Sequence, residues 1–362
     1  MKITFLLSYA GMSGGIRVVA IYTKLLREMG HQVNIISMPK QPLPFISKIK
    51  ALFGRKQWLF EEAVQGPSHF DKDDPFWTRI DHYRPLNDRD VPDGDIVIAT
   101  WWRTAVWANQ LSSSKGKKVY FCQHYEVHDY LPQKQVEATY FFPMAKICVS
   151  SWVKNKIEQL TGENNQQIAM NGVELNQFYA PVREKNDVPV FGFMYNPVYW
   201  KGTDIIVEAL ELAKLQNPQL KAVCFGLKKP TKKDLFLPNW ITFYEHPSQD
   251  FIREIYAKCD AWLFGSRAEG FGLPLLEAMA CRAPVIATNA GAAPELVSKG
   301  CGFIIPQEDS QMMSKKILEL SSMEASIWRE MSDSAYRKAC ENDWHTAASK
   351  FEQILVEQLE SS

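Results

Sequence analysis

At 362 residues the chain is too long for one ordinary core, so two domains are expected. A hydrophobic share of 46% lets both bury an interior. Lysine plus arginine equals aspartate plus glutamate at 41 each, which excludes the basic excess of a general nucleic-acid binder, and no nucleic-acid partner is expected.

Short apolar runs alternate with amphipathic stretches, the mark of parallel α/β units. The run Ile3–Leu7 reads as a strand, too brief for a signal peptide, with Gly11 to Gly15 as a loop and Ile16–Met29 as a helix. Residues 41–94, rich in proline and aromatics, read as an irregular insertion or flap. Strands follow at Ile96–Thr100, Val119–Cys122 and Lys146–Val149, with a further early one at Val33–Ser37; helices fit Ala105–Leu111 and Ser151–Leu160. A proline-rich, charged stretch within Phe178–Pro189 reads as the joint between the halves. The second half repeats the style, with strands at Val190–Met194, Lys221–Phe225, Ile241–Phe243, Ala261–Phe264, Val285–Ala287 and Gly302–Ile304. Its helices fit Thr203–Leu215, Asp250–Ala257, Pro274–Ala280, Pro294–Ser298 and Ser310–Ser322, and a last helix, Trp344–Leu359, is expected to return to the first domain. The expected domains are therefore 1–180, 181–343 and the returning segment 344–362, with the ligand expected in the crevice between two open sheets.

No run is long and apolar enough to span a bilayer, so a soluble or peripheral protein is expected. Seven cysteines are scattered without a Cys-x-x-Cys pair, which leaves zinc and redox motifs unsupported and fits a reducing cytoplasm.

The strongest feature runs from Ala261 to Ala280. An apolar strand ends at Gly265, a loop carries Glu269, Gly270, Phe271 and Gly272, and a helix opens with Pro274, with Glu277 a turn inside. Proline suits the first helical position, where its missing N–H costs nothing. The loop and helix end can offer backbone N–H groups and a positive dipole end to a diphosphate, and the glycines let that backbone approach closely. Glu277 is placed to accept hydrogen bonds from ribose hydroxyls, as carboxylates do in dinucleotide folds. Glu269 lies at the sugar end of such a ligand. Acids are common at helix starts for electrostatic reasons alone, so it is the whole strand, loop and helix constellation that points to a donor site.

These residues closely resemble glycosyltransferase family 4, whose Glu, seven residues, Glu signature matches Glu269 and Glu277. The resemblance extends to Ala287–Glu295, to Trp200-Lys201-Gly202, and to Asn171-Gly172-Val173 with Phe178; it is continuous from about Lys146 onward and weaker before. It implies the GT-B fold, α/β with two facing Rossmann-like domains and a C-terminal helix packing back on the first. It implies retaining transfer from a nucleotide diphosphate sugar, with no metal and no further cofactor. Under it Glu277 binds the ribose, Glu269 the transferred sugar, the backbone of Phe271, Gly272 and Leu273 lines sugar and diphosphate, and Lys201 neutralises the departing diphosphate, where a fixed cation counts most. One departure stands out: the family's arginine five or six residues before the lysine is replaced by Tyr195 and Asn196. Asn196 can donate a hydrogen bond to phosphate but brings no charge, and Lys228 or Lys229 are candidates to supply it.

Gly14 and Gly15 open a helix after the first strand and make a second anion-ready helix end, which the family uses near diphosphate and acceptor. Their spacing lacks the G-x-G-x-x-G pattern of nicotinamide enzymes. His124 follows a strand and matches a family histidine that contacts the donor sugar, with Glu126, His128 and Asp129 nearby. Base recognition is expected around His246-Pro247. Asp71-Lys72-Asp73-Asp74 follows no apolar strand and reads as a solvated loop rather than a metal motif. Phe45–Phe60 mixes aromatics with Lys48, Lys50, Arg55 and Lys56; it reads either as a packed insertion or as peripheral membrane contact, where a lipid-linked acceptor would wait.

The expectation is a cytoplasmic enzyme, peripheral at the inner membrane face if 45–60 binds lipid, that moves a sugar to a glycan or lipid-linked glycan in polysaccharide synthesis. Three rivals stay open: a glycoside hydrolase using paired carboxylates, a nucleotide-sugar epimerase of the same architecture, and a non-catalytic nucleotide-sugar binder.

Overall fold

The computed structural model describes residues 1–40, 67–71, 73–231, 237–297 and 300–360. The 45–60 segment, Lys72 and Ser298 lie outside them. Two compact units emerge: the first comprises Met1–Cys148, Lys154–Ala169 and Ala348–Ser362, the second Val149–Val153 and Met170–Ala347. The chain thus passes to the second unit at Ala169–Met170, ahead of the 178–189 stretch.

The first unit is built on seven parallel strands: β1 (Lys2–Leu7), β2 (Gln32–Ser37), β3 (Trp77–Arg79), β4 (Ile96–Ala99), β5 (Lys117–Cys122), β6 (Ala145–Cys148) and β7 (Gln167–Ile168). Their order is β3-β2-β1-β4-β5-β6-β7. After Lys2 every residue of β1 is buried, as expected of a strand covered on both faces. Helices α1 (Gly14–Glu28), α2 (Trp102–Gln110), α3 (Gln133–Thr139) and α4 (Ser151–Thr161) connect the strands. On α1 the buried set Val18, Val19, Tyr22, Leu25 and Leu26 recurs at helical spacing and forms the stripe that meets the sheet.

The second unit has six parallel strands: β8 (Val190–Met194), β9 (Lys221–Gly226), β10 (Ile241–Glu245), β11 (Ala261–Phe264), β12 (Val285–Thr288) and β13 (Gly302–Ile305). They are ordered β10-β9-β8-β11-β12-β13. Helices α5 (Thr203–Gln216), α6 (Gln249–Lys258), α7 (Leu273–Ala280), α8 (Ala293–Leu296), α9 (Ser310–Ser321) and α10 (Ala325–Cys340) complete it. In each unit the strand order reverses beside the first strand. The loops after β1 and β4, and those after β8 and β11, therefore part at a topological switch point, where open α/β sheets bind ligands.

The last helix, α11 (Trp344–Glu360), joins the first unit from Ala348 onward, as the sequence leads one to expect. Its Phe351 is fully buried, with ring centroids 4.6 Å from Tyr22, 5.0 Å from Phe121 and 6.4 Å from Phe5. That burial stabilises the unit by about 1.5–3 kcal/mol. Glu352 adds a 2.6 Å contact to His31 Nε2.

Four elements depart from the sequence reading. Residues 67–94 are not wholly irregular, because β3 pairs in parallel with β2 through Ile35–Trp77, Ile36–Thr78 and Ser37–Arg79. The short β7 and α3, and the long α10, also went unread. Among the described residues no helix is long and apolar enough to cross a membrane.

Candidate active site

The loops after β8 and β11 leave neighbouring strands at the switch point of the second sheet. Past β8, Tyr195 keeps one more bond to the sheet, its N–H donating to Phe225 O at 2.8 Å. Asn196 then turns the chain: its side-chain oxygen accepts the Val198 amide at 3.0 Å, and Thr203 Oγ1 donates to its carbonyl at 2.6 Å. A single 3-10 turn over Tyr199–Lys201 leads into Gly202, which has φ +62 and starts α5. A Cβ at Gly202 would lie 1.8 Å from Gly265 O, so only glycine lets the two loops approach this closely.

Past β11 the chain runs through Ser266, Arg267 and Glu269 to Gly272. Gly272 is the N-cap of α7 with φ +95, and α7 begins at Leu273. Pro274 is therefore the second helical residue, not the first as expected, because a left-handed cap at Gly272 starts the helix one residue early.

These two loops bring Lys201 and Glu269 together. Lys201 Nζ donates to Glu269 Oε2 at 2.6 Å, with 23% and 14% of the two side chains exposed. Ser266 Oγ reaches the same oxygen at 3.3 Å, and Ser266 is itself held by Thr288 Oγ1, which donates to its carbonyl at 2.6 Å. The pair borders a recess of about 50 Å³ with Met194, Phe264 and Pro274, room for little more than ordered water. Gly291, at φ +59, allows the loop after β12 to touch this one: a Cβ there would meet Phe271 O at 2.6 Å and Glu269 Cβ at 3.1 Å. Phe271 is buried, and its carbonyl accepts the Ala292 amide at 2.9 Å. Gly270 is fixed through its carbonyl, which accepts Ser150 Oγ at 2.6 Å.

Glu277 is buried on α7 and accepts the Tyr256 hydroxyl at 3.0 Å. Burial, with Glu277 beside it, pushes the Cys281 thiol far above its ordinary range. On the far side of β8, β10 ends at Glu245 and His246 takes φ +42. Its N–H bonds Gly226 O at 2.7 Å, and Pro247 occupies the turn before Ser248 caps α6. Lys228 and Lys229 follow β9, both exposed.

Sequence reading passed over Arg267. Its guanidinium takes Asp204 in a fork of 2.8 and 2.7 Å, reaches Glu308 Oε2 at 2.8 Å and Tyr199 O at 2.6 Å, and lies 4.0 Å over the Tyr199 ring. Its N–H also donates to Trp200 O at 2.8 Å. The hydrogen bonds to Asp204 and Glu308 hold its pKa well above that of a free arginine, and those from Arg267 hold Asp204 below the usual carboxylate range. Arg267 thus staples the Tyr199–Lys201 turn to the loop that carries Glu269. The one clue in the sequence is an arginine two residues ahead of that glutamate.

In the first unit Gly14 and Gly15 open α1 after β1. Its N-cap Ser13 makes no side-chain cap, and no acid occupies the first turn. The free N–H groups of a helix start are thus left for another partner. A Cβ on Gly15 would lie 3.4 Å from Gln123 Oε1. His124 stands two residues past β5, with Nδ1 2.8 Å from Tyr125 O. Behind it Glu126 is buried, accepting the Trp102 amide at 2.7 Å and the Tyr120 hydroxyl at 3.1 Å. Burial pushes the Glu126 carboxyl up to about 8. Asp74 pairs with Arg27 at 2.7 Å and Asp71 accepts the Asp73 amide at 3.2 Å, so both serve a turn.

Comparison places this geometry among known proteins. The fold matches Anabaena HepE, solved in complex with UDP and glucose, at a TM-score of 0.68 over 100% of both chains with 19% identity. The chain therefore has the GT-B fold of two Rossmann-like units. Residues 177–339, most of the second unit, match the family described as Glycosyl transferases group 1. The chain is 29% identical over 202 residues to the uncharacterized glycosyltransferase MJ1178 of Methanocaldococcus jannaschii, covering 53% of this chain and 55% of that protein. It is 26% identical over 236 residues to the capsular polysaccharide biosynthesis glycosyltransferase CapM of Staphylococcus aureus, covering 59% and 60%. The chain thus spans little more than half the length of these relatives.

Proposed function

We propose that the chain is a retaining glycosyltransferase that moves a sugar from a nucleoside diphosphate sugar to a glycan or lipid-linked glycan, in the synthesis of a surface polysaccharide or glycoconjugate. The observation that carries this is the 2.6 Å Lys201–Glu269 pair at the second sheet's switch point, beside the start of α7. The family match and the UDP and glucose bound by Anabaena HepE support it.

The N-terminus of α7 and the backbone of Phe271, Gly272 and Leu273 present N–H groups to the diphosphate. Glu277 takes the ribose hydroxyls and Glu269 hydroxyls of the transferred sugar. Lys201 meets the charge that gathers on the diphosphate as the bond from the anomeric carbon to its oxygen breaks. The acceptor oxygen bonds that carbon from the same face, and its proton passes to the departing phosphate oxygen. Configuration is retained without a protein nucleophile. Asn196, its side-chain oxygen engaged by Val198, keeps the amide NH₂ as its donor toward phosphate. Pro247 and the strained turn at His246 border the base, while Gly14 and Gly15 at the start of α1, with His124, form a further anion- and sugar-binding candidate in the first unit. Six of the seven cysteines are buried thiols, in keeping with a reducing cytoplasm.

A thermal-shift panel of uridine, guanosine, adenosine and deoxythymidine diphosphate sugars tests the reading, since a ligand stabilises the fold that binds it. One base should raise the melting temperature, and Glu277→Ala should weaken that nucleotide's affinity in calorimetry. Absence of any shift across the panel would sink the donor site, and unchanged affinity in Glu277→Ala would sink the ribose assignment.

A further inference from the structure

In the first unit, the segment after His124 carries aromatic and polar groups that the donor chemistry does not use. The His124 and His128 rings lie 4.9 Å apart, and the Tyr130 ring stacks on His128 at 5.2 Å with an interplanar angle of 7°. Tyr130 ends this ladder 67% exposed. The His128 ring behind it sets the orientation of the phenol's plane. On either side of Tyr130 in sequence, Asp129 and Leu131 line an open recess of about 430 Å³ together with Gln133, Lys134 and Gln135. Gln133 Nε2 donates to Asp129 Oδ1 at 3.1 Å, so the polar wall is arranged before any ligand arrives.

We propose that residues 128–135 form a saccharide subsite that holds a sugar ring of the acceptor beyond the one that receives the new residue. The proposal rests on the glycosyltransferase reading, and it makes the acceptor an oligosaccharide. A pyranose has one face of C–H groups and an edge of hydroxyls. The flat, rigid face of Tyr130 suits the former at small cost in side-chain entropy. The carboxylate, amides and ammonium of Asp129, Gln133, Gln135 and Lys134 supply both acceptors and donors for the latter. The ring ladder leads back to His124, so a sugar on Tyr130 would lie along the same row as that histidine.

The test is saturation-transfer NMR on the full chain with mannotriose, maltotriose and N-acetylchitotriose as probes. Wild type should bind at least one. Tyr130→Ala should weaken that binding about tenfold, the scale of one lost stacking contact. Tyr130→Phe, which keeps the ring, should stay within threefold of wild type, and Asp129→Asn should alter which probe binds best. Tyr130 is exposed, so its replacement leaves folding intact. No binding of any probe, or equal binding by Tyr130→Ala, would overturn the subsite. Donor thermal shifts on the same samples read the donor site separately: their loss in wild type refutes the glycosyltransferase reading, and their retention beside absent saccharide binding refutes only the subsite.

Discussion

Replacing Lys201 by Met separates two meanings of the contact with Glu269. Methionine keeps the stem but removes the ammonium that sits 2.6 Å from Glu269 Oε2. The side chains are 23% and 14% exposed, between a surface pair, worth up to about 1 kcal/mol, and a fully buried one, whose breaking costs about 3–5 kcal/mol. A loss of about 2 kcal/mol follows, or roughly 4–8 °C in melting temperature for a unit of this size. Were that all, Lys201→Met would lower the melting temperature and leave turnover near wild type while the protein stays folded. If Lys201 instead meets the leaving diphosphate, its loss should cut turnover by about 100-fold or more, as for other groups fixed where charge develops. The double variant Lys201→Met/Glu269→Gln should recover melting temperature, a coupling in stability that a double-mutant cycle reads directly. Release of nucleoside diphosphate measures the rate, and calorimetry with the same nucleotide measures affinity, which should change less. Turnover within threefold of wild type in Lys201→Met would refute the assignment.

Arg267→Ala should lower turnover about tenfold while leaving nucleotide affinity near wild type, because it frees the Tyr199–Lys201 turn without touching the donor. Its stability cost, read by urea unfolding, should be about 2 kcal/mol once the 44% and 53% exposure of Asp204 and Glu308 is allowed for. Lysine at 267 cannot make the fork to Asp204 and should not rescue; full activity in Arg267→Lys would contradict the staple. Glu126 has its pKa raised by burial to about 8 from the ordinary 4.5, so the folded state binds the extra proton. Stability from this group is complete below pH 4.5 and is lost as pH rises through 8. Melting temperature should therefore fall between pH 5 and 9 more steeply in wild type than in Glu126→Gln, and parallel profiles would show that Glu126 does not titrate there.

The strands were legible because sheets covered on both faces leave continuous apolar runs, such as Ala261–Phe264 and Val285–Thr288. Helix α10 was not, although it has 16 residues. Its inward face presents Trp328, Ser332, Ala335 and Ala339, and small or polar residues at helical spacing give no hydrophobic stripe. The three-residue β3 is mostly exposed and looks like loop until β2 pairs with it. At the site, the glycines, Pro274 and the two glutamates announce a strand-loop-helix unit by their types. That Lys201 would meet Glu269 was not readable, since 68 residues separate them and only the adjacency of β8 and β11 joins them. Arg267 was obscured for the same reason: its partners Asp204 and Glu308 come from the starts of two distant helical segments.

The return of α11 to the first unit bears on how the protein is made. A ribosome delivers the strands β1 to β7 first, yet Phe351, which fills the space between Phe5, Tyr22 and Phe121, follows only after the second unit. While the second unit is being synthesised and can fold at once, the first waits with an open aromatic socket. Arrival of α11, rather than emergence of the first sheet, is then the event that seals the first unit.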